Sequence, residues 1–234
     1  GNVYTAPATI ANNKYNFGAA SARWISAEFE ESTGSEEIPY VTFTAEAPQT
    51  LELSYAIVGL EYSVNGGEWK TFGTSSVAFG GNYGNLRLRG NDNFNGTNGA
   101  SISFGNNTSV SCTGDIRTLI NYESYKNCYT GDASFESLFE GCRQLKLAPE
   151  LPLTTLDYRC YYSMFSGCSG LTEAPVLPAT TLAESCYSYM FSGCTSLTEA
   201  PVLPATTLAP YCYHEMFYNC TSLTEAPVLP ATTL

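Results

Sequence analysis

Three Thr-Glu pairs recur at one position of a repeated segment: Thr172 and Glu173, Thr198 and Glu199, and Thr224 and Glu225, with a period of 26 residues. If the repeats stack as neighbouring strands, the carboxylates form a column with a spacing of about 4.8 Å. Like charges at that spacing repel by roughly 1 kcal/mol in water, so the column must face solvent or a cation. A solvated acidic surface, a docking strip for a basic partner and a calcium site are the alternatives. Calcium is the least favoured, because one carboxylate per repeat supplies few converging oxygens.

Tyrosines also recur in the repeats, and some break the regular pattern. Tyr161, Tyr187 and Tyr213 keep one position and are expected in the core. Tyr189, Tyr211 and Tyr218 are less regular, and we expect some of them to be exposed, where they would anchor a protein partner.

His214 is the only histidine, and the two preceding repeats have Ser188 and Tyr162 at its position. This variation indicates an exposed site rather than a general base, and no Ser or Cys is placed to form an activated pair with it. The sequence therefore predicts no catalytic residue and no enzymatic activity.

Nine cysteines are present, and seven of them follow the repeat. Two that share a repeat are eight residues apart, which is too far for a disulfide if the segment is helical. We expect them to be buried small apolar residues. Zinc is disfavoured, because there is no C-x-x-C pair and only one histidine, and no cofactor is predicted.

The composition restricts the class of partner. The formal charge is −12, and no Lys or Arg follows Arg159, which argues against nucleic-acid binding. With 44% hydrophobic residues the chain can bury a core, and it has no apolar run long enough for a membrane-spanning helix. The first residues lack the pattern of a signal peptide.

Alternating apolar and polar residues from Tyr40 onward predict short strands. The segments are 41–44, 51–55, 60–64, 77–79, 86–89, 102–104 and 110–112, with an Asn65-Gly66-Gly67 hairpin turn before Glu68 to Phe72. They predict an antiparallel β-sandwich over residues 1–114, followed by a connecting segment at 115–132. Trp24 and Trp69 lie in the predicted sandwich, where an exposed Trp would offer a stacking platform for a glycan, although a core position is more common.

Residues 133–234 form the repeat array. Leu171 to Ala174 predicts a short strand, and Leu182, Cys186, Met190 and Cys194 recur every four residues as in a short helix. One strand and one helix per 26 residues is the leucine-rich-repeat pattern, so we predict an α+β fold in which the sandwich caps a right-handed solenoid of strand-helix units. No polar capping repeat follows, and we expect the array to be truncated or its open end to be covered by another molecule.

The motif Cys-Tyr-x-x-Met-Phe-x-x-Cys-x-x-Leu-Thr-x-Ala-Pro-x-Leu-Pro-Ala-Thr-Thr-Leu occurs from Cys186 to Leu208 and from Cys212 to Leu234. It resembles the BspA-like leucine-rich-repeat surface proteins of Bacteroides-type bacteria. Upstream, the segments 62–69, 86–90 and 114–119 are more weakly similar to the β-rich region that often precedes such repeats.

The resemblance implies an exported protein, secreted or at the cell surface, with an outer-membrane anchor in the full-length precursor. The resemblance implies no catalytic residues. It implies non-catalytic, adhesin-like binding of a host extracellular protein or a bacterial surface protein. A glycan-binding module and a structural spacer are the alternatives.

Overall fold

The computed structural model describes residues 40–91 and 100–233 in full, together with the backbone of three strands nearer the N-terminus. The chain forms two compact units, residues 1–38 and residues 39–234. The first contains β1 (Thr9–Ala11), β2 (Lys14–Phe17) and β3 (Ile25–Glu28), which form an antiparallel sheet in that order. The boundary predicted at residue 114 falls inside the second unit and stays a prediction.

The second unit holds nine short strands and three turns of 3-10 helix among its described residues. The strands are β4 (Val41–Thr44), β5 (Gln49–Leu53), β6 (Leu60–Val64), β7 (Lys70–Thr71), β8 (Val77–Phe79), β9 (Leu86–Gly90), β10 (Ile102–Phe104), β11 (Val110–Thr113) and β12 (Leu145–Leu147). The 3-10 turns are Gly81–Tyr83, Ile116–Leu119 and Tyr125–Asn127.

These strands form two sheets with a shared aromatic core. One has the order β10-β5-β8, and the other the order β12-β11-β4-β9-β6-β7. Alternation along β4 buries Val41 and Phe43. The Phe43 ring lies 6.4 Å from that of Phe79 and 6.2 Å from that of Phe104, which come from the other sheet. Ring contacts of this kind stabilise the packing beyond the burial of area alone.

The larger sheet continues into the first repeat. β12 pairs in parallel with β11, and the Glu150 N–H donates to the Gly114 carbonyl 2.9 Å away. The Ile102 N–H donates to the Leu138 carbonyl at 2.8 Å, and the Phe43 ring lies 6.3 Å from that of Phe139. The sheets therefore cover the N-terminal face of the repeat stack.

Each repeat contains a nine-residue segment that we call the turn ladder: residues 133–141, 159–167, 185–193 and 211–219. Every fourth residue in a ladder is left-handed, with φ between 48° and 76°. These residues are Ala133, Ser137, Gly141, Arg159, Ser163, Gly167, Ser185, Tyr189, Gly193, Tyr211, Glu215 and Asn219. Because left-handed residues cannot continue a right-handed helix, the ladder is a succession of turns.

Backbone hydrogen bonds join each ladder to the next. At the middle interface, N–H groups of Arg159, Tyr161, Ser163, Phe165 and Gly167 donate to carbonyls of Glu184, Cys186, Ser188, Met190 and Ser192. The other two interfaces have the same five bonds, and the N···O distances are 2.7–3.1 Å throughout. Apart from that of Ser134, the N–H groups between these donors bond instead to the carbonyl three positions earlier in the chain. Alternate N–H groups thus stack the repeats, and the rest close the turns.

Aromatic side chains in the interior also stack from one repeat to the next. Phe135, Tyr161, Tyr187 and Tyr213 form one column of stacked rings, with centroids 5.7–5.9 Å apart. Phe139, Phe165, Phe191 and Phe217 form another, with centroids 5.5–5.8 Å apart. The hydroxyls of Tyr161, Tyr187 and Tyr213 are buried without a hydrogen-bond partner among the described residues, so the rings hold these positions by apolar packing.

The predicted fold class is wrong. The described residues contain no α-helix, so the array is not a leucine-rich-repeat solenoid of strand-helix units, and the fold is almost entirely sheet and turns. The period of four from Leu182 to Cys194 reflects one left-handed turn residue in every four, not one face of a helix.

The left-handed glycine of the ladder gives a direct test of this geometry. Replacing Gly167, whose φ is 74°, with alanine should lower the free energy of unfolding by about 1–2 kcal/mol, because the Cβ strains a left-handed residue. Gly167→Asn should cost less, since Asn219 occupies the same position at φ 56°. The free energies of unfolding of the original protein and of the two Gly167 variants are measured by urea denaturation.

Gly73→Ala is the matched control, since no atom lies within 4 Å of the added Cβ and the residue is not left-handed. A loss at Gly167 no larger than that at Gly73 would contradict the turn-ladder geometry.

Candidate functional site

The three Thr-Glu pairs are exposed, and no ion pair or side-chain hydrogen bond involves them within the described part of the chain. Thr198, Glu199, Thr224 and Glu225 line one shallow recess on the surface of adjacent repeats. Thr172 and Glu173 hold the equivalent position one repeat earlier. We call these three pairs the Thr-Glu strip.

Three exposed valines, which we call the apolar ridge, each follow the glutamate of a Thr-Glu pair by three residues in the sequence. Its valines, Val176, Val202 and Val228, are 79%, 81% and 84% exposed. Val176 also lines a groove with Pro149, Pro152, Pro175 and Pro178. The sequence reasoning missed this ridge, although an Ala-Pro-Val triplet after each Glu was the available signal. Ala200, Ala226 and Pro227 line the same recess as Glu199 and Glu225, so carboxylates and apolar groups lie together there.

The irregular tyrosines do not form a single cluster. The Tyr189 ring packs edge-to-face with Tyr162 at 5.7 Å and with His214 at 5.2 Å. Tyr211, which is 67% exposed, packs against the same imidazole at 5.8 Å. Tyr218 is 57% exposed and makes no ring contact with described residues. The structure thus brings Tyr189 and Tyr211 together through His214, a residue that the sequence reasoning had set aside.

Two of these tyrosines owe their position to the turn ladder. Tyr189 and Tyr211 are left-handed residues, with φ of 56° and 55°. Desolvation raises the pKa of Tyr189, and Glu215 and Tyr162 raise it further, so its hydroxyl stays neutral at physiological pH. Its hydroxyl therefore acts as a hydrogen-bond donor or acceptor and not as a charge.

Arg159 is followed by a wholly acidic part of the array, apart from His214. Its guanidinium lies 3.9 Å from the centre of the Tyr162 ring and 2.6 Å from the Glu136 carboxylate. Every later charged side chain, apart from His214, is a glutamate: Glu173, Glu184, Glu199, Glu215 and Glu225. No Lys or Arg of the array is available to neutralise the Thr-Glu strip beyond this point.

Trp69 is half-buried and has one ring face covered. The Arg89 guanidinium lies 4.0 Å from the ring centre and is held by Glu61 at 2.7 Å. Tyr40 contacts the same indole at 5.7 Å. This face is not free to stack on a sugar. Trp24 lies outside the described residues.

His214 is exposed, with Nε2 4.0 Å from the Glu215 carboxylate. No group of three or more His, Cys, Asp or Glu side chains in the described part of the chain could hold a metal ion. No helix in that part is long and apolar enough to cross a bilayer.

The repeat cysteines are structural. Thiols of Cys142, Cys168, Cys194 and Cys220 each donate to a backbone carbonyl, of Ile102, Phe139, Phe165 and Phe191 respectively, at 3.0–3.1 Å. Burial raises the pKa of Cys142, Cys186 and Cys194 to about 12. These groups are therefore protonated at neutral pH, and a thiol is a poor nucleophile and metal ligand compared with a thiolate.

No protein-family model, curated protein or solved structure matches this chain. The geometry of the exposed surfaces is therefore the main basis for a functional proposal.

Thiol reactivity tests the structural role of the cysteines. Eight of the nine are buried, and Cys128 is partly exposed. With Ellman's reagent at pH 8, we expect one thiol to react quickly and eight to react only after denaturation. Cys128→Ser should remove the fast phase. Several fast thiols in the native protein would contradict the burial of the other eight cysteines.

Proposed function

We propose that this protein is a non-catalytic recognition module that binds a protein partner through its repeat array. The observation that carries the proposal is the Thr-Glu strip, which is exposed and acidic and is followed in each repeat by an exposed valine. A mixed acidic and apolar surface is complementary to a protein segment that presents Lys or Arg beside apolar side chains.

The charge distribution supports this class of partner. The array beyond Arg159 contains only acidic charges apart from His214, so its potential attracts a basic surface and repels nucleic acid. Exposed rim charges of this kind steer association more than they add affinity. The apolar ridge would supply the buried area that a stable complex needs.

Tyr211 and Tyr218 are further contact candidates, because large exposed aromatic side chains are frequent anchors at interfaces. Tyr189 would support Tyr211 through His214. The repeat motif favours a setting at a bacterial surface, with adhesin-like binding of a host extracellular protein or another surface protein.

Glycan binding and a spacer role are the alternatives. The Arg89 guanidinium against Trp69 gives no support to glycan binding at that residue. If the protein is a spacer, the Thr-Glu strip contributes nothing to binding. The experiment below distinguishes a spacer from a recognition module.

Neutralising the strip tests the proposal. A triple variant, Glu173→Gln, Glu199→Gln and Glu225→Gln, should weaken binding to the partner by about tenfold, since three exposed charge pairs at about 0.5 kcal/mol each sum to roughly the 1.4 kcal/mol of a tenfold change. It should also flatten the salt dependence of the association rate. The partner is first isolated by pull-down from a panel of purified extracellular matrix proteins, and the rates are measured by surface plasmon resonance.

The matched control is Glu46→Gln, Glu52→Gln and Glu68→Gln. These three glutamates are exposed in the two-sheet region, so the control makes the same change in net charge away from the strip. Equal effects of the two triple variants would show a general charge effect and contradict a role for the strip. Failure to retain any protein of the panel would favour the spacer role.

A further inference from the structure

A polar pocket of about 330 Å³ lies where residues 126–130 meet residues 152–157. Its volume is at the small end of the range of ligand pockets, which is about 300–1,000 Å³. The lining combines hydroxyl, carboxamide, carboxylate and cationic side chains with one tyrosine, and it shares no residue with the Thr-Glu strip. The pocket is therefore suited to a small polar ligand, at a place distinct from the surface proposed for a protein partner.

Hydrogen bonds and one ion pair fix the walls of this pocket. The Arg117 guanidinium binds the Asp115 carboxylate at 2.6 Å, and its Nη1 donates to the Lys126 carbonyl at 3.3 Å. On the other wall, the Thr154 carbonyl accepts from the N–H of Thr181, in the next repeat, at 3.2 Å. A ligand therefore meets groups that are already held in place, which lowers the cost of ordering them on binding.

Asp157 supplies an oriented acceptor. The buried Thr130 hydroxyl donates to its Oδ2 at 2.9 Å, whereas its Oδ1 has no hydrogen-bond partner among the described residues. The exposed hydroxyls of Thr154 and Thr155, in the same segment, likewise make no hydrogen bond within the described part of the chain. Because a hydroxyl both donates and accepts, the pocket offers what a ligand with several hydroxyl groups requires.

Tyr129 supplies an apolar surface at the same pocket. It is 89% exposed, the largest exposed fraction among the large apolar side chains that the structure describes. No aromatic ring or cation in the described ranges covers it, whereas the Trp69 ring has the Arg89 guanidinium 4.0 Å from its centre. An exposed ring beside hydrogen-bonding groups can pack on the C–H face of a sugar while those groups bind its hydroxyls.

The charges of the pocket balance. Arg117 is neutralised by Asp115, which leaves the Lys126 ammonium and the Asp157 carboxylate as one charge of each sign. A phosphate would face the carboxylate, and a cation would face the ammonium, so neither kind of ion is favoured. A neutral polyhydroxylated ligand fits the site better than an ion of either sign.

We propose that this pocket binds a neutral sugar, as a monosaccharide or at the end of a glycan chain. The sugar ring packs on Tyr129, and its hydroxyls bond to Oδ1 of Asp157, to the Asn127 carboxamide and to the threonine hydroxyls of the 152–157 segment. The site uses neither tryptophan and none of the Thr-Glu strip, so sugar binding here does not depend on a protein partner.

NMR titration of the ¹⁵N-labelled protein tests the proposal, with glucose, galactose, mannose, N-acetylglucosamine and fucose as the probes. We expect at least one sugar to shift the amide signals of Thr130, Thr154 and Thr155 in a saturable way, while the amides of the Thr-Glu strip stay unchanged. A glycan array then identifies the linkage in which that sugar is bound. The absence of a saturable shift with all five sugars, together with an array that retains nothing, would overturn the proposal.

Tyr129→Ala and Tyr83→Ala form the matched pair of variants. The two tyrosines are 89% and 48% exposed, so neither change should unfold the protein, and Tyr83 does not line the pocket. Tyr129→Ala should weaken sugar binding by about tenfold or more, while Tyr83→Ala should leave it unchanged. Asp157→Asn should also weaken it by about tenfold, because the amide has the same shape but is a weaker acceptor than the carboxylate. Equal affinities of the two tyrosine variants would overturn the proposal.

An anion site is the outcome to exclude. The same titration is run with inorganic phosphate, which should produce no saturable shift of the Thr130, Thr154 and Thr155 amides. Phosphate shifts at these amides that are lost in Lys126→Ala would show that the pocket binds anions, and would overturn the assignment to a neutral sugar.

Discussion

The array depends on one backbone interaction, the set of parallel hydrogen bonds from each turn ladder to the next. These hydrogen bonds require a left-handed residue at every fourth position, because that conformation directs alternate N–H groups out of the turn and toward the neighbouring repeat. Nine of these twelve residues are not glycine, and each resists the left-handed region. The stacked rings and buried thiols must therefore offset a strain that is distributed over every repeat.

The same bonds make the stack directional. Carbonyls face the sheets and donors face away from them, so the two faces of a repeat differ chemically even though the last three repeats are similar in sequence. The sheets satisfy one end by pairing β12 with β11 and by packing Phe43 against Phe139. A repeat array usually needs a distinct terminal element, since each unit can bury its apolar face only against a neighbour.

Much of the two-sheet region could be predicted from sequence, because alternation and turn residues act locally. Strands were expected at 60–64 and 86–89, and the structure has β6 and β9 there; Asn65 and Gly66 both take the positive φ of a hairpin turn. The array was misassigned because a period of four residues is common to a helix and to this ladder. Only contacts between repeats, 25 residues apart in the chain, distinguish the two. The apolar ridge was missed because two adjacent apolar residues differ in burial: Val202 is exposed, whereas Leu203 is buried.

The repeats contain two kinds of position, those at which the residue is constant and those at which it varies. The two stacked interior positions are aromatic in every repeat, with ring centroids less than 6 Å apart, and the Thr-Glu and Ala-Pro-Val positions are constant in the last three repeats. Two ladder positions vary instead: Arg159, Ser185 and Tyr211 share one position, and Ser163, Tyr189 and Glu215 share another. Both positions are left-handed in every repeat, so the backbone tolerates the change of side chain. Under the proposed function, the constant acidic strip would supply general attraction for a basic partner, whereas the varied ladder positions, which include Tyr189 and Tyr211, would distinguish one partner from another.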